Sequence, residues 1–138
     1  MREYVLEQLV PGLTEQFDVT VTEEMQRAFT ELTGDVNPLH TDREYAEGAG
    51  YRDRVVYGML TSAFYSTLAG CYLPGKYCVF QEIGISFANP VYIGDVLTVS
   101  GTVDRVYPEL KRVKIKVRIT NSSGAAVSRG SIVTGVLK

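Results

Sequence analysis

The sequence is poor in the features that would place it in several large classes of protein. It contains one histidine, two cysteines and no tryptophan among 138 residues, and 14 basic residues are balanced by 16 acidic ones. A formal net charge of -2 provides no broad attraction for nucleic acid or for an anionic membrane surface. No apolar run approaches the length of a membrane-spanning helix. We therefore expect neither nucleic acid nor a membrane to be the main partner.

The N-terminus and the scarcity of cysteine favour a cytoplasmic protein. The first segment, MREYVLEQLVPGL, has charged residues among its apolar ones and is not typical of a signal peptide. Cys71 and Cys78 are too few for a disulfide framework, and their spacing matches no common metal-binding or redox motif. We expect two reduced thiols and no bound metal.

No internal repeat, low-complexity tract or linker divides the chain, so residues 1–138 are expected to form one domain. This length is sufficient for a substantial core. Residues 17–22 alternate as a strand does, and Thr22 is a suitable N-cap for a helix that Gly34 would end. The apolar stripe of that helix would consist of Met25, Ala28, Phe29 and Leu32.

The remainder of the chain predicts one buried helix followed by a sheet. Residues 58–73 are apolar around most of a helix circumference, which is typical of a helix covered on most sides. Strand-like runs separated by turn-forming residues then follow at about 77–88, 95–107, 111–121 and 125–136. Long strands with short connections favour an antiparallel sheet wrapped around the helix, an α+β architecture.

One of these strands carries an unusual charge pattern. In KRVKIKVRI, residues 111–119, basic side chains alternate with valine and isoleucine. The pattern is compatible with a ladder that binds phosphate. We favour the simpler interpretation of one buried face and one solvated face, on which lysine discourages pairing between sheet edges.

The only histidine lies in LTGDVNPLHT, residues 32–41, five positions after Asp35. Because the residue before a proline is disfavoured in the α conformation, Asn37 and Pro38 predict a shaped loop that carries both Asp35 and His40. The pair could serve in general acid-base catalysis. It could equally serve structure, with Asp35 bonded within a turn and His40 capping a short helix that begins at Thr41 or the next residue.

A glycine further along the chain adds a third element. Gly58 opens the predicted buried helix, and the first backbone N–H groups of a helix are free to bind negative charge. An acid-base pair and an oxyanion donor in one pocket suit the addition of water to a carbonyl-conjugated double bond, or the reverse elimination, because an enolate-like oxygen develops charge in both.

The segments FTELTGDVNPLHTDREYA and RVVYGML resemble the MaoC-type dehydratases and R-specific enoyl-CoA hydratases, and LPGKY, ISFANPVYIGD and the final strands extend the resemblance over nearly the whole chain. The resemblance implies a hot-dog fold and a homodimer or a higher assembly of dimers. It also implies a thioester substrate of coenzyme A or an acyl carrier protein, and no cofactor.

Site residues are implied position by position. Asp35 and His40 match the catalytic pair of the family, which would activate the water that adds at C3. Gly58 matches the glycine whose N–H binds the thioester oxygen, Ser66 the helix serine near the pair, and Asn37 the motif asparagine that shapes the loop.

The sequence differs from the family pattern at Tyr57, where close relatives often have histidine. The resemblance therefore does not predict the shape of the pocket around the thioester. Aromatic side chains near the central helix could line an acyl tunnel, although such residues more often fill a core. They are Phe64, Tyr65, Tyr72 and Phe87.

Two other functions fit the same fold. A thioesterase would use Asp35 to activate water against the thioester carbonyl, but the motif histidine disfavours it. A non-catalytic thioester-binding subunit is disfavoured because both Asp35 and His40 are present.

Overall fold

The computed structural model describes all 138 residues and contains one five-stranded antiparallel sheet and four α-helices. The four strands expected in the second half of the chain are confirmed to within one residue at either end. The strands are β1 (Thr14–Thr20), β2 (Cys78–Phe87), β3 (Val96–Tyr107), β4 (Arg112–Thr120) and β5 (Ala126–Val136). The helices are α1 (Glu23–Thr33), α2 (Pro38–Thr41), α3 (Arg43–Gly48) and α4 (Gly58–Thr67).

The sheet wraps around α4 and the wide helical turn Leu68–Tyr72 that continues it. Its strand order is β1-β3-β4-β5-β2, so β1 and β2 form the two edges. The strand β3 passes so close to Leu68 that a Cβ on Gly101 would lie 2.8 Å from Leu68 Cδ2. The predicted α+β architecture is therefore confirmed. Fully buried inward-facing side chains form the core, among them Leu68, Leu97, Val99, Ile115, Ile119 and Ile132.

Helix α1 begins and ends where the sequence predicts. The Thr22 side chain accepts a hydrogen bond from Met25 N at 3.2 Å, and Gly34 ends the helix with φ of 72°. The predicted apolar stripe is partly wrong, because Leu32 is 84% exposed while the polar Gln26 is only 3% exposed. Gln26 tolerates burial because its amide is hydrogen-bonded to other segments of the chain.

The prediction that His40 lies on a loop is wrong. Pro38 begins the single-turn helix α2, which includes His40. A proline is compatible with the first position of a helix, because the N–H that it lacks would have no partner there. Asp42 caps the next helix by accepting a hydrogen bond from Tyr45 N, so His40 is not that cap.

Neither cysteine takes part in a disulfide. Burial raises the pKa of the Cys78 thiol to about 11, which keeps it protonated and poorly nucleophilic at neutral pH. Among the helices, none combines the length and the apolar character that crossing a membrane would require.

Candidate active site

A cavity of about 350 Å³ at the start of α4 is lined by Asp35, His40, Tyr57 and Gly58. A second cavity, of about 280 Å³, shares His40 and Gly58 with it and extends toward Phe87 at the end of β2. The structure thus brings Asp35, His40 and Gly58 together, although up to 23 positions separate them in the sequence.

Asp35 lies in the short connection between α1 and α2 and is exposed. Its backbone N–H donates to Thr33 Oγ1 at 3.2 Å, and its Oδ1 accepts from Asn37 N at 3.1 Å. The Asn37 side chain in turn caps α2 by accepting from Leu39 N at 2.9 Å. These turn bonds hold the carboxylate at the cavity and leave its Oδ2 without a protein partner.

The imidazole of His40 is oriented by a main-chain carbonyl. Its Nδ1 lies 2.7 Å from Val55 O, and a carbonyl oxygen can only accept, so Nδ1 carries a proton. In neutral His40, Nε2 therefore holds the free lone pair and can take a proton. The same two segments are also joined by Val55 N, which donates to Leu39 O at 3.1 Å.

Gln26 is a component of the site that the sequence analysis missed. Its Nε2 donates to His40 O and to Val55 O, both at 3.2 Å, and its Oε1 accepts from Tyr57 N at 3.4 Å. One buried amide therefore ties α1 to both segments that orient the histidine. In the sequence, only the position of Gln26 directly after Met25, a residue of the predicted apolar stripe, could have indicated that this glutamine is buried.

Tyr57, where the chain departs from the resemblance, is 2% exposed and contacts both members of the pair. Its hydroxyl donates to Asp35 O at 2.5 Å and lies 2.8 Å from Thr30 Oγ1. Its ring packs against the His40 ring, with centroids 4.1 Å apart, and against Phe29, with centroids 4.6 Å apart. Tyr57 thus joins the Asp35 loop and the His40 ring to α1.

Gly58 is the first residue of α4 and lines both cavities. Its N–H has no acceptor four residues earlier within the helix, as is usual for the first turn. A Cβ on Gly58 would lie 2.9 Å from Phe87 Cε1, so this wall has no room for a side chain unless the Phe87 ring moves.

An ion pair fixes the segment that carries Val55. Arg54 donates to both carboxylate oxygens of Glu23, at 3.0 and 2.7 Å. The Arg54 guanidinium lowers the pKa of the Glu23 carboxyl through these hydrogen bonds, against the opposing effect of partial burial. Both side chains retain contact with solvent.

Ser66 is the predicted site residue that the structure does not bring to the pair. It is exposed, lies eight positions after Gly58 and so stands about 12 Å further along the helix axis. It lines neither of the two cavities.

The aromatic residues near α4 divide between core and cavity. Tyr65 is fully buried and bonds Ser128 Oγ at 2.8 Å, and Tyr72 stacks on Phe17 with centroids 4.9 Å apart. Of the four aromatic residues that the sequence suggested for an acyl tunnel, only Phe87 lines either of the two cavities. The structure contains no group of three or more histidine, cysteine, aspartate or glutamate side chains placed to hold a metal ion.

The chain matches the family model described as MaoC like domain over residues 10–126. It is 31% identical over 117 residues to the (R)-specific enoyl-CoA hydratase of Rhodospirillum rubrum, covering 85% of this chain and 81% of that protein. It also resembles the solved structure of the (R)-hydratase from A. caviae, with a TM-score of 0.89, 28% identity and coverage of 94% of this chain and 98% of that one.

A mitochondrial 3-hydroxyacyl-[acyl-carrier-protein] dehydratase of Arabidopsis thaliana is 42% identical over 69 residues, which span 50% of this chain and 40% of that protein. The family match covers most of the chain, and the fold agrees with that of a solved hydratase. The chain therefore belongs to the MaoC-like domain family and has its hot-dog fold.

Proposed function

We propose that the protein is a hydro-lyase that adds water reversibly to a trans-2-enoyl thioester and forms the R-3-hydroxyacyl thioester. The observation that carries the proposal is the cavity in which the Asp35 carboxylate and the His40 imidazole lie beside the N-terminus of α4. The names of the relatives support the reaction and its stereochemistry.

In this reaction, Asp35 and His40 hold one water molecule between them. Nε2 of His40 takes a proton from the water as its oxygen bonds to C3 of the enoyl group. The electron pair of the double bond moves toward the thioester oxygen, where the Gly58 N–H stabilises the developing charge. The protonated His40, which lies on that face, then returns this proton from Nε2 to C2, so that hydroxyl and hydrogen are added to one side of the double bond and the neutral imidazole is restored.

The direct test is turnover of crotonyl-CoA, followed by loss of the enoyl-thioester absorbance and by determination of the product's chirality. We expect R-3-hydroxybutyryl-CoA. Release of free thiol would indicate the thioesterase instead, and absence of any turnover would favour a non-catalytic binding subunit.

We also propose that the protein is a homodimer formed through β2 and the open side of α4. β2 is an edge strand with large apolar side chains exposed, including Ile83 at 46% and Phe87 at 54%. On α4, Met59 is 66% exposed, and Ala63 and Ser66 are exposed on the same side. A second copy would cover this apolar surface and the open edge together.

The dimer would give Ser66 a role that a single chain does not provide, because a residue on the open side of α4 faces the partner subunit. We expect sedimentation at micromolar concentration to give twice the chain mass of 15.3 kDa. Ile83→Lys should shift the mass to that of the monomer. A wild-type protein that sediments only as a monomer would contradict the proposed assembly.

The proposed substrate is a thioester of coenzyme A or of an acyl carrier protein, since relatives that act on each have been identified. A cytoplasmic location is part of the proposal, and the two free thiols support it.

A further inference from the structure

The outward face of the sheet, opposite to the core, carries a groove of about 560 Å³ with a strongly basic lining. None of the ten residues that line it is acidic, although the whole chain carries a net negative charge. Its cations are Lys114, Lys116, Arg118 and Arg129, and hydroxyl groups of Ser100, Thr102 and Ser131 lie between them.

The sheet register places two of these cations directly opposite each other. Arg118 on β4 pairs with Arg129 on β5, which brings the two β-carbons to about 5 Å. Like charges in this position destabilise a sheet. Neither guanidinium has a carboxylate within 4.0 Å, and of the four cations only Lys116 forms an ion pair, with Asp104 at 3.5 Å. The face therefore retains unneutralised positive charge.

The length of the basic row selects the class of ligand. Arg112, Lys114, Lys116 and Arg118 point outward from β4, while the valine and isoleucine residues between them are buried. Alternate residues of a strand are about 6.8 Å apart, so the row extends for about 20 Å. A helix with acidic residues four positions apart presents a carboxylate about every 6 Å, which nearly matches this spacing. A single phosphate group would meet only one or two of the cations.

The groove ends close to the candidate active site. Arg129 pairs across the sheet with Ser86, and the next residue, Phe87, lines the cavity that contains Gly58 and His40. Val127, two positions before Arg129, lines the same cavity. The groove and the cavity thus lie on opposite faces of the sheet at the end where β2 stops and β5 begins.

We propose that this basic face docks an acidic helix of an acyl carrier protein, whose pantetheine arm passes around the end of β2 and delivers the enoyl thioester to the cavity. This inference rests on the proposed hydratase function. The alternation along β4 alone could be explained without any ligand. The proposal gives the basic row a binding role, with a protein rather than a free phosphate as the ligand.

The test compares crotonyl-CoA with the crotonyl thioester of a purified acidic acyl carrier protein. Arg118→Gln combined with Arg129→Gln should lower kcat/KM for the carrier-bound substrate about tenfold at low ionic strength and leave crotonyl-CoA within about twofold. The difference should largely disappear at about 0.5 M salt. The matched control, Lys76→Gln combined with Lys138→Gln, removes the same charge from residues beside the Tyr77 ring and should change neither substrate.

Equal losses with both substrates would show that the groove binds phosphates of coenzyme A and would overturn the proposal. No loss with either would show a merely solvated face. If the wild type turns over neither substrate, the hydratase function fails, and docking is then judged by titrating the carrier protein itself into the wild type and the double variant. Binding that is unaffected by the double variant overturns the docking. The melting temperature of the variant should not fall, because the substitutions relieve the repulsion between the arginines.

Discussion

Removing the hydroxyl of Tyr57 tests whether this side chain positions the pair. In Tyr57→Phe the ring can still pack against His40 and Phe29, but the hydrogen bond to Asp35 O and the contact with Thr30 Oγ1 are lost. Loss of a hydrogen bond with a partly buried group left unpaired costs about 1–3 kcal/mol of stability. Displacement of the Asp35 loop by about 1 Å can cost around a hundredfold in rate.

We therefore expect Tyr57→Phe to lower kcat for crotonyl-CoA by about ten- to a hundredfold and to change KM little. Tyr65→Phe is the matched control, because it removes a buried tyrosine hydroxyl that bonds Ser128 and lines neither cavity. The control should lose comparable stability and retain kcat. Thermal melting and steady-state kinetics on the three proteins supply both quantities.

Two results would refute this role for Tyr57. If Tyr57→Phe retains kcat within about twofold of the wild type, the hydroxyl does not hold the pair in a reactive geometry. If the two variants lose kcat equally, the loss reflects general destabilisation rather than positioning. A kcat that is restored at lower temperature would indicate destabilisation in that variant, and a kcat that stays low would indicate lost positioning.

The remaining predictions concern the pair, the oxyanion donor and the ion pair. Asp35→Asn and His40→Ala should each lower hydratase turnover at least about a hundredfold with the fold intact, and near-wild-type rates for Asp35→Asn would remove the acid-base assignment. Gly58→Val should lose hydration of crotonyl-CoA far more than thermal stability, because the atoms that an added Cβ would meet belong to the Phe87 ring and none to the backbone. The milder Gly58→Ala distinguishes lost catalysis from unfolding should the valine variant not fold. Because the pKa of Glu23 is lowered in the fold, its stabilising effect is present above the ordinary value of 4.5 and is lost as pH falls through the lowered pKa. Glu23→Gln should thus lower the free energy of unfolding by less than about 1 kcal/mol at pH 7, and the difference from the wild type should vanish in acid. Urea unfolding of both proteins from neutral to acidic pH measures this difference. A difference that stays constant with pH would contradict the prediction.

Local patterns predicted most of the elements of this fold, because these depend on neighbours in the sequence, although the first strand spans Thr14–Thr20 and not residues 17–22. The cap at Thr22, the left-handed Gly34 and the alternation along β4 all involve residues within a few positions of one another. The same patterns misjudged Leu32, which is exposed, because they identify an apolar face without identifying what covers it. They also missed the helical turn at His40, where a proline begins a helix instead of preventing one.

The candidate site was predictable only in part. Asp35, His40 and Gly58 could be identified from a compact motif and a helix start, and the structure brings them to one cavity. Gln26 and the Val55 carbonyl could not, because their importance arises from hydrogen bonds between segments 14 to 31 positions apart. No local pattern encodes such contacts.

The way in which the histidine is held explains why one imidazole is sufficient. The Val55 carbonyl fixes the proton on Nδ1 of His40, so Nε2 is available for water without a second titratable residue to orient the ring. Gln26 donates hydrogen bonds to the carbonyls of both Val55 and His40 and so keeps the two segments at a fixed separation. The Tyr57 ring packs on the His40 ring. The groups that contact the imidazole directly are neutral, and the charged pair that fixes the Val55 segment, Arg54 with Glu23, is lost only as pH falls through the lowered pKa of Glu23. Above that pH, the geometry of the frame should not change with pH.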